Sequence, residues 1–279
     1  MKKIAMGMLV ALSAVLLVGC SGRGPRTLSD KYVKVTDYQG VEIEPVTAEE
    51  TTDEEVEAAV NYMRSVYVQN KGLDKDTPIS DEMVQELSET SKTVDEYKAE
   101  LKKQVEESKA NTARKEEESA AWQKVLENST VKQYPKDRLK AMKKKIETVY
   151  TNYAQQMGMS YEDYMKAAGI TDKDITKSAK TALKQELVAN VIANYYGLKP
   201  TDDELAEGVQ TYQAQYYLSD VDEEEVRTLL TENNVMSWVT DRCRYVESDK
   251  SKDKKSDEKI TEESKEKTTD SSNKTTEEK

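Results

Sequence analysis

The chain has 279 residues, a formal net charge of −12, a sequence pI near 4.9, 36% hydrophobic and 34% charged residues, no His and no Phe. The acidic balance argues against nucleic acid as a partner, and the missing imidazole removes His-based catalysis and His metal ligation. With so little apolar material a thick globular core is not expected, and extended helices with amphipathic faces are the simplest way to bury what there is.

The N-terminus opens with Lys2 and Lys3, continues through an apolar or small-residue stretch over 4–18, and reaches Leu17-Val18-Gly19-Cys20, which has the form of a lipobox. This pattern predicts a lipoprotein signal peptide over 1–19 and a mature N-terminus at Cys20, whose thiolate takes a diacylglyceryl group. The apolar stretch is shorter than the roughly 20 residues a membrane span requires. Two or three acyl chains, at about 0.8 kcal/mol per buried CH2, hold a protein stably on a bilayer. The expected location is therefore the extracytoplasmic face of the cell membrane, lipid-anchored.

Residues 20–30 read as a lipidated linker, a Gly, Pro and Arg leash reaching about 15–20 Å. Over residues 31–44 Val33, Val35, Val41 and Ile43 alternate around Asp37-Tyr38-Gln39-Gly40, which predicts a short hairpin or two small strands, the only strand signal in the chain. Thr52 and Glu55 form a capping-box pattern ahead of Val56, Ala59, Val60, Met63 and Tyr67, and Gly72 marks the stop. A loop through Pro78 leads to a short helix over residues 80–87. Thr93 and Glu96 open the next helix, where Val94, Tyr97, Leu101 and Val105 share a face. That face fades between Lys109 and Ser119 and returns at Ala121, Trp122, Val125 and Leu126, the pattern of a long arm with a lightly packed middle.

Pro135 begins a helix whose stripe is Leu139, Met142, Ile146, Val149, Tyr150, Tyr153 and Met157, with Gly158 as its stop. Ser160 caps a short helix closed by Gly169. Thr171 caps another with Ile175, Ala179, Ala182, Leu183, Leu187, Val191, Ile192 and Tyr195 on its face, stopped by Gly197. Thr201 and Glu204 begin a helix carrying Leu205, Val209, Tyr212 and Tyr216; Asp222 leads into Val226, Leu229 and Leu230 and, past an expected break at Asn233 and Asn234, into Val235, Val239 and Val246. Residues 247–279 are Lys, Glu, Asp, Ser and Thr apart from Asn273 and Ile260, the one hydrophobic residue, a composition that predicts a disordered charged tail. With Cys20 acylated, Cys243 stands alone between Arg242 and Arg244 and reads as a structural helix residue.

The chain is thus expected to be all-α, an extended multi-helix body with arms plus a short N-terminal β segment. It contains no Gly-rich phosphate loop, CxxC or calcium-loop pattern, and runs such as 116–118 and 223–225 read as solvated acidic faces. No catalytic, cofactor-binding or metal-binding residue is expected, and no cofactor.

The stretch Tyr32-Val33-Lys34-Val35-Thr36-Asp37-Tyr38-Gln39-Gly40-Val41-Glu42-Ile43, followed by Thr52-Asp53-Glu54-Glu55-Val56, resembles the passage by which trigger factors enter their substrate-binding part. Met157-Gly158-Met159-Ser160-Tyr161-Glu162-Asp163-Tyr164-Met165, and later Tyr195-Tyr196-Gly197-Leu198, resemble the arm helices of the same family. The resemblance runs over residues 31–246 and implies a helical chaperone domain, similar in architecture to the non-catalytic parts of the exported chaperones SurA and PrsA. It departs from the family in having no N-terminal domain with a Gly-Phe-Arg loop, so no ribosome partner is expected. Only a short loop stands between Tyr67 and Pro78, where a prolyl isomerase domain would be, so the chain is not expected to be an enzyme. The resemblance implies an ATP-independent holdase for unfolded or partly folded secreted and envelope proteins. Tyr150, Tyr153, Met157, Tyr212 and Tyr216 are the candidate client contacts, because Met adapts its shape and Tyr offers a rigid amphipathic ring. The alternatives are a scaffold lipoprotein that binds one folded envelope partner and, third, a prolyl isomerase.

Overall fold

The computed structural model describes residues 24–216 and 220–247; the expected signal peptide, Cys20 and the expected tail from residue 248 lie outside this description, as does the side chain of Tyr216. Its elements in chain order are β1 (Thr27–Ser29), β2 (Val33–Thr36), β3 (Glu42–Ile43), α1 (Asp53–Lys71), α2 (Asp81–Leu87), α3 (Val94–Glu127), β4 (Ser129–Val131), α4 (Lys136–Gln156), α5 (Tyr161–Ala168), α6 (Asp172–Tyr196), α7 (Asp202–Tyr216), α8 (Glu223–Thr240) and β5 (Arg244–Tyr245). The architecture is the mostly helical, multi-helix body expected.

Local chemistry sets the helix ends. Thr52 with Glu55, Thr93 with Glu96, and Thr171 with Asp174 form reciprocal capping boxes, each satisfying backbone N–H groups that the first helical turn leaves without partners. Thr201 does the same for α7: its hydroxyl accepts from the Glu204 N–H at 3.2 Å, and the Glu204 carboxylate accepts from the Thr201 N–H at 2.7 Å. Gly72 and Gly197 end α1 and α6 in the left-handed region, with φ of 65° and 66°, where a Cβ would be strained.

The main core is built around α6, in which Leu183, Leu187, Val188, Ala189, Val191, Ile192 and Ala193 are all buried. Against it pack Leu28, Val33 and Val35 of the sheet, Ala121, Trp122 and Val125 of α3, and Val235 and Val239 of α8. A second, smaller cluster joins α1, α2 and the start of α3 through Val60, Val84, Tyr97 and Leu101. Helix α3, 34 residues and so about 51 Å long, spans the two clusters. Between residues 102 and 120 only Ala113 of this helix is buried, and charge does the holding there. Lys109 Nζ donates to Glu50 O at 2.8 Å and to Glu55 at 2.7 Å, and Arg114 reaches Asp241 at 2.5 Å.

Several expectations are corrected. Of the two forms expected for residues 31–44, the chain takes the two small strands, β2 and β3, which do not pair with each other as a hairpin would. Strand β2 lies antiparallel between β1 and β4 in the order β1-β2-β4, while β3 pairs in parallel with β5. The turn with Asp37 at φ 47° and Gly40 at φ 67° carries the chain from one sheet to the other. The strand signal was therefore incomplete: β1, β4 and β5, two or three residues each, are too short to show an alternation.

The second half of the expected linker is folded. Thr27–Ser29 pairs with β2, the Asp37 N–H donates to Arg26 O at 2.9 Å, and the Tyr38 hydroxyl donates to Pro25 O at 2.7 Å. Helix α8 runs through Asn233 and Asn234 without a break. Both Asn residues are exposed, Asn234 Nδ2 ties to Leu198 O at 3.2 Å, and burial of Thr231, Val235 and Val239 outweighs a propensity cost of roughly half a kcal/mol per Asn. Cys243 follows the end of α8 rather than lying within it; it packs against the main core, and burial pushes its thiol pKa up, the opposite of an activated thiolate. On α6 the aromatic that joins the core is Tyr196, while Tyr195 is exposed.

Candidate functional site

Helix α4 leaves much of its predicted apolar stripe open: Leu139, Met142, Ile146 and Tyr150 are half-buried, and Val149, Tyr153 and Met157 are exposed. It packs along α6, with Arg138 meeting Glu186 at 2.5 Å near its start and Lys143 meeting Asp172 at 2.8 Å further on, so the two helices run antiparallel. Ala154 is its sole buried residue. Val149, Tyr153 and Met157, spaced by four, are 49%, 48% and 66% exposed and form one line down the distal half of the helix. Tyr150, one residue round, is half-buried beside Tyr164 of α5, ring centroids 6.2 Å apart. Gly158, with φ 66°, then reverses the chain into α5, making α4 and α5 a helical tip beside the start of α6.

Of the five expected client contacts, the structure therefore gathers Tyr150, Tyr153 and Met157 on one segment. Tyr212 is elsewhere, half-buried on α7, which packs on α8. That contact is close because Gly208 faces α8: a Cβ there would come 2.8 Å from Leu230 Cδ1. Tyr216 lies in the last position of α7 and its side chain is outside the description.

A crevice of about 720 Å3 lies between α4, α6 and α8, and none of the five lines it. Met142, Ile146, Val149 and Leu229 give it apolar walls, and Glu186 and Glu232 lie along it. Lys145 of α4 reaches Glu225 of α8 at 3.4 Å, joining its two sides. Burial pushes the Glu232 carboxyl up to about 7, and the neighbouring Glu186 charge adds to the effect. Sequence reading missed Glu232. Its one signal is position: it stands three residues after Leu229 and four before Met236, on a face those two share.

The arrangement offers apolar contact edged by charge rather than reactive groups brought together. Among the described residues no group of three or more His, Cys, Asp or Glu is placed to hold a metal ion, and no helix is long and apolar enough to cross a membrane.

Residues 93–248, more than half of the chain, match the family described as bacterial trigger factor protein (TF) C-terminus. The chain is similar to the trigger factor of Streptococcus mutans serotype c, 26% identical over 162 residues that cover 56% of this chain and 37% of that protein. It is similarly related to the trigger factors of Streptococcus uberis and Streptococcus equi subsp. zooepidemicus, each 27% identical with the same coverage. The chain thus matches well under half the length of these relatives. The match takes in the long helix α3, the α4–α5 tip, the central helix α6 and the arm of α7 and α8, and on it the chain belongs to the trigger factor C-terminal domain family.

Proposed function

We propose that the protein is an ATP-independent holdase for unfolded or partly folded secreted and envelope proteins, tethered to the extracytoplasmic face of the membrane through acylated Cys20. The observation that carries the reading is the line of Val149, Tyr153 and Met157, an apolar surface on a helix whose neighbours leave it uncovered. The crevice between α4, α6 and α8 extends it, since Val149 belongs to both.

The relatives named trigger factor support a chaperone role in kind. The lipobox-like Leu17-Val18-Gly19-Cys20 supports the location. The surface suits weak, reversible binding. Burying about 300 Å2 of apolar client surface yields about 7 kcal/mol gross, and losing the freedom of two molecules costs about 4 kcal/mol or more. A client held this loosely leaves without a nucleotide-driven step. Residues 67–78 finish α1 and form a tight loop, in which Arg64 Nη1 donates to Lys75 O at 2.9 Å and to Thr77 O at 2.8 Å. That closure supports holding without prolyl isomerisation.

The test uses residues 21–279 in excess over a chemically unfolded protein diluted into buffer without ATP. Delayed aggregation, with no acceleration in a proline-peptide isomerisation assay on the same preparation, is the expected result. No delay at several-fold molar excess overturns the holdase reading. A single folded partner recovered at fixed stoichiometry by crosslinking in cells would instead favour a scaffold.

A further inference from the structure

We infer that the surface around Gly24, carrying Arg26, Tyr195, Arg242 and Arg244, faces the bilayer and rests on anionic phospholipid headgroups. The inference rests on the proposed lipid anchor at Cys20. Gly24, where the described chain begins, stands four residues after Cys20, a reach of at most about 14 Å. Gly24 is not a free end. A Cβ there would meet the Tyr196 hydroxyl and Gln39 Nε2, and Tyr38 holds Pro25 next door, so the root of the tether is seated on the body.

The seat is an aromatic cluster. Tyr196 lies 4.3 Å from Trp238, centroid to centroid, and edge-on to Tyr195 at 4.8 Å, and Tyr195 is exposed. The Arg242 guanidinium lies 4.2 Å over the Trp238 ring. Three of the chain's eight arginines thus gather here, in a protein of net charge −12. Arg26 pairs with Asp37, and Arg244 pairs with Glu42 at 2.8 Å. Among the described residues no acid pairs with Arg242; its guanidinium donates to Trp238 O at 3.1 Å.

Amphipathic rings and arginines beside a lipid tether suit the headgroup region, where rings sit half in water and cations meet phosphate. The acidic remainder of the molecule is repelled by an anionic surface, which orients the body with this face down. Helix α6 then acts as a spacer. Its 25 residues put about 37 Å between Tyr196 and the end beside the α4–α5 tip, so the exposed line on α4 stands well above the lipid.

Trp238 is a built-in reporter, because Trp122 → Phe leaves it as the only tryptophan. The full-length protein is produced in a bacterial host, acylation at Cys20 is confirmed by intact mass, and the protein is reconstituted into phosphatidylcholine vesicles with about a third phosphatidylglycerol and a nitroxide-headgroup lipid. Trp238 emission should fall at least twofold. Arg242→Glu combined with Tyr195→Ser should restore most of it, and a single tryptophan placed by Met157→Trp in a Trp122→Phe, Trp238→Phe background should not be quenched. If acylation is absent, the anchor reading has failed. If the acylated protein is in the bilayer and Trp238 is quenched no more than the Met157→Trp reporter, the orientation is wrong and the inference falls.

Discussion

Replacing Glu232 by Gln keeps the shape of the crevice wall and removes its ionisation. In the fold the carboxyl titrates near 7, mainly because burial disfavours its charge and secondarily because Glu186 lies close; in the unfolded chain it returns to about 4.5. The folded state therefore holds the proton more tightly. Below about pH 4.5 the group is neutral in both states and contributes nothing. As pH rises from 4.5 to 7 the unfolded state gains by ionising, and above 7 the fold carries the full penalty. The interval corresponds to about 3.4 kcal/mol at 1.36 kcal/mol per pH unit, and solvent at the crevice mouth reduces this to about 1–2 kcal/mol. Urea denaturation of both proteins at pH 5 and pH 8 reads the difference, and the other carboxylates cancel in the comparison. Glu232→Gln should come within about half a kcal/mol of the parent at pH 5 and exceed it by about 1–2 kcal/mol at pH 8. A variant no more stable than the parent at pH 8 refutes the account of this crevice.

Ile192→Asp places a charge in a fully buried site at the centre of α6 and should cost several kcal/mol, read as a large loss of melting temperature; an unchanged melt would mean the core is misassigned. Thr93→Ala removes one side of a capping box and should cost about 1 kcal/mol, visible by thermal melting, while Thr93→Ser should restore most of it. Gly208→Val drives a side chain into Leu230 and Val226 and should loosen α7 from α8, so amide exchange in α7 should rise while α6 stays protected.

The helical skeleton was legible because its signals are local. Thr52, Thr93, Thr171 and Thr201 each carry their reciprocal acid three residues on, and Gly72, Gly169 and Gly197 stand where left-handed backbone closes a helix. What was not legible depends on partners far apart in sequence. Ser129–Val131 becomes a strand because β2 offers it an edge, and Arg244–Tyr245 does so because β3 does. Residues 25–29 look like a leash until the Tyr38 hydroxyl and β2 are in place.

The same holds for the site. The spacing of Val149, Tyr153 and Met157 named the stripe but not its exposure, since a buried stripe and an open one share a 3.6-residue period. Tyr212 matched the composition of a contact residue and stands on the separate α7 arm, while Glu232 looked like an ordinary surface acid until α4 and α6 enclosed it.

The central claim is that the open line on α4 holds clients. Val149→Gln, Tyr153→Gln and Met157→Gln together replace it with residues that keep helix propensity, and because all three are exposed the melting temperature should move by no more than a few degrees. Delay of aggregation by this triple variant, measured beside the parent at equal concentration, should fall at least fivefold. Equal protection by a variant that melts like the parent would contradict the claim and send the search for the client surface away from α4.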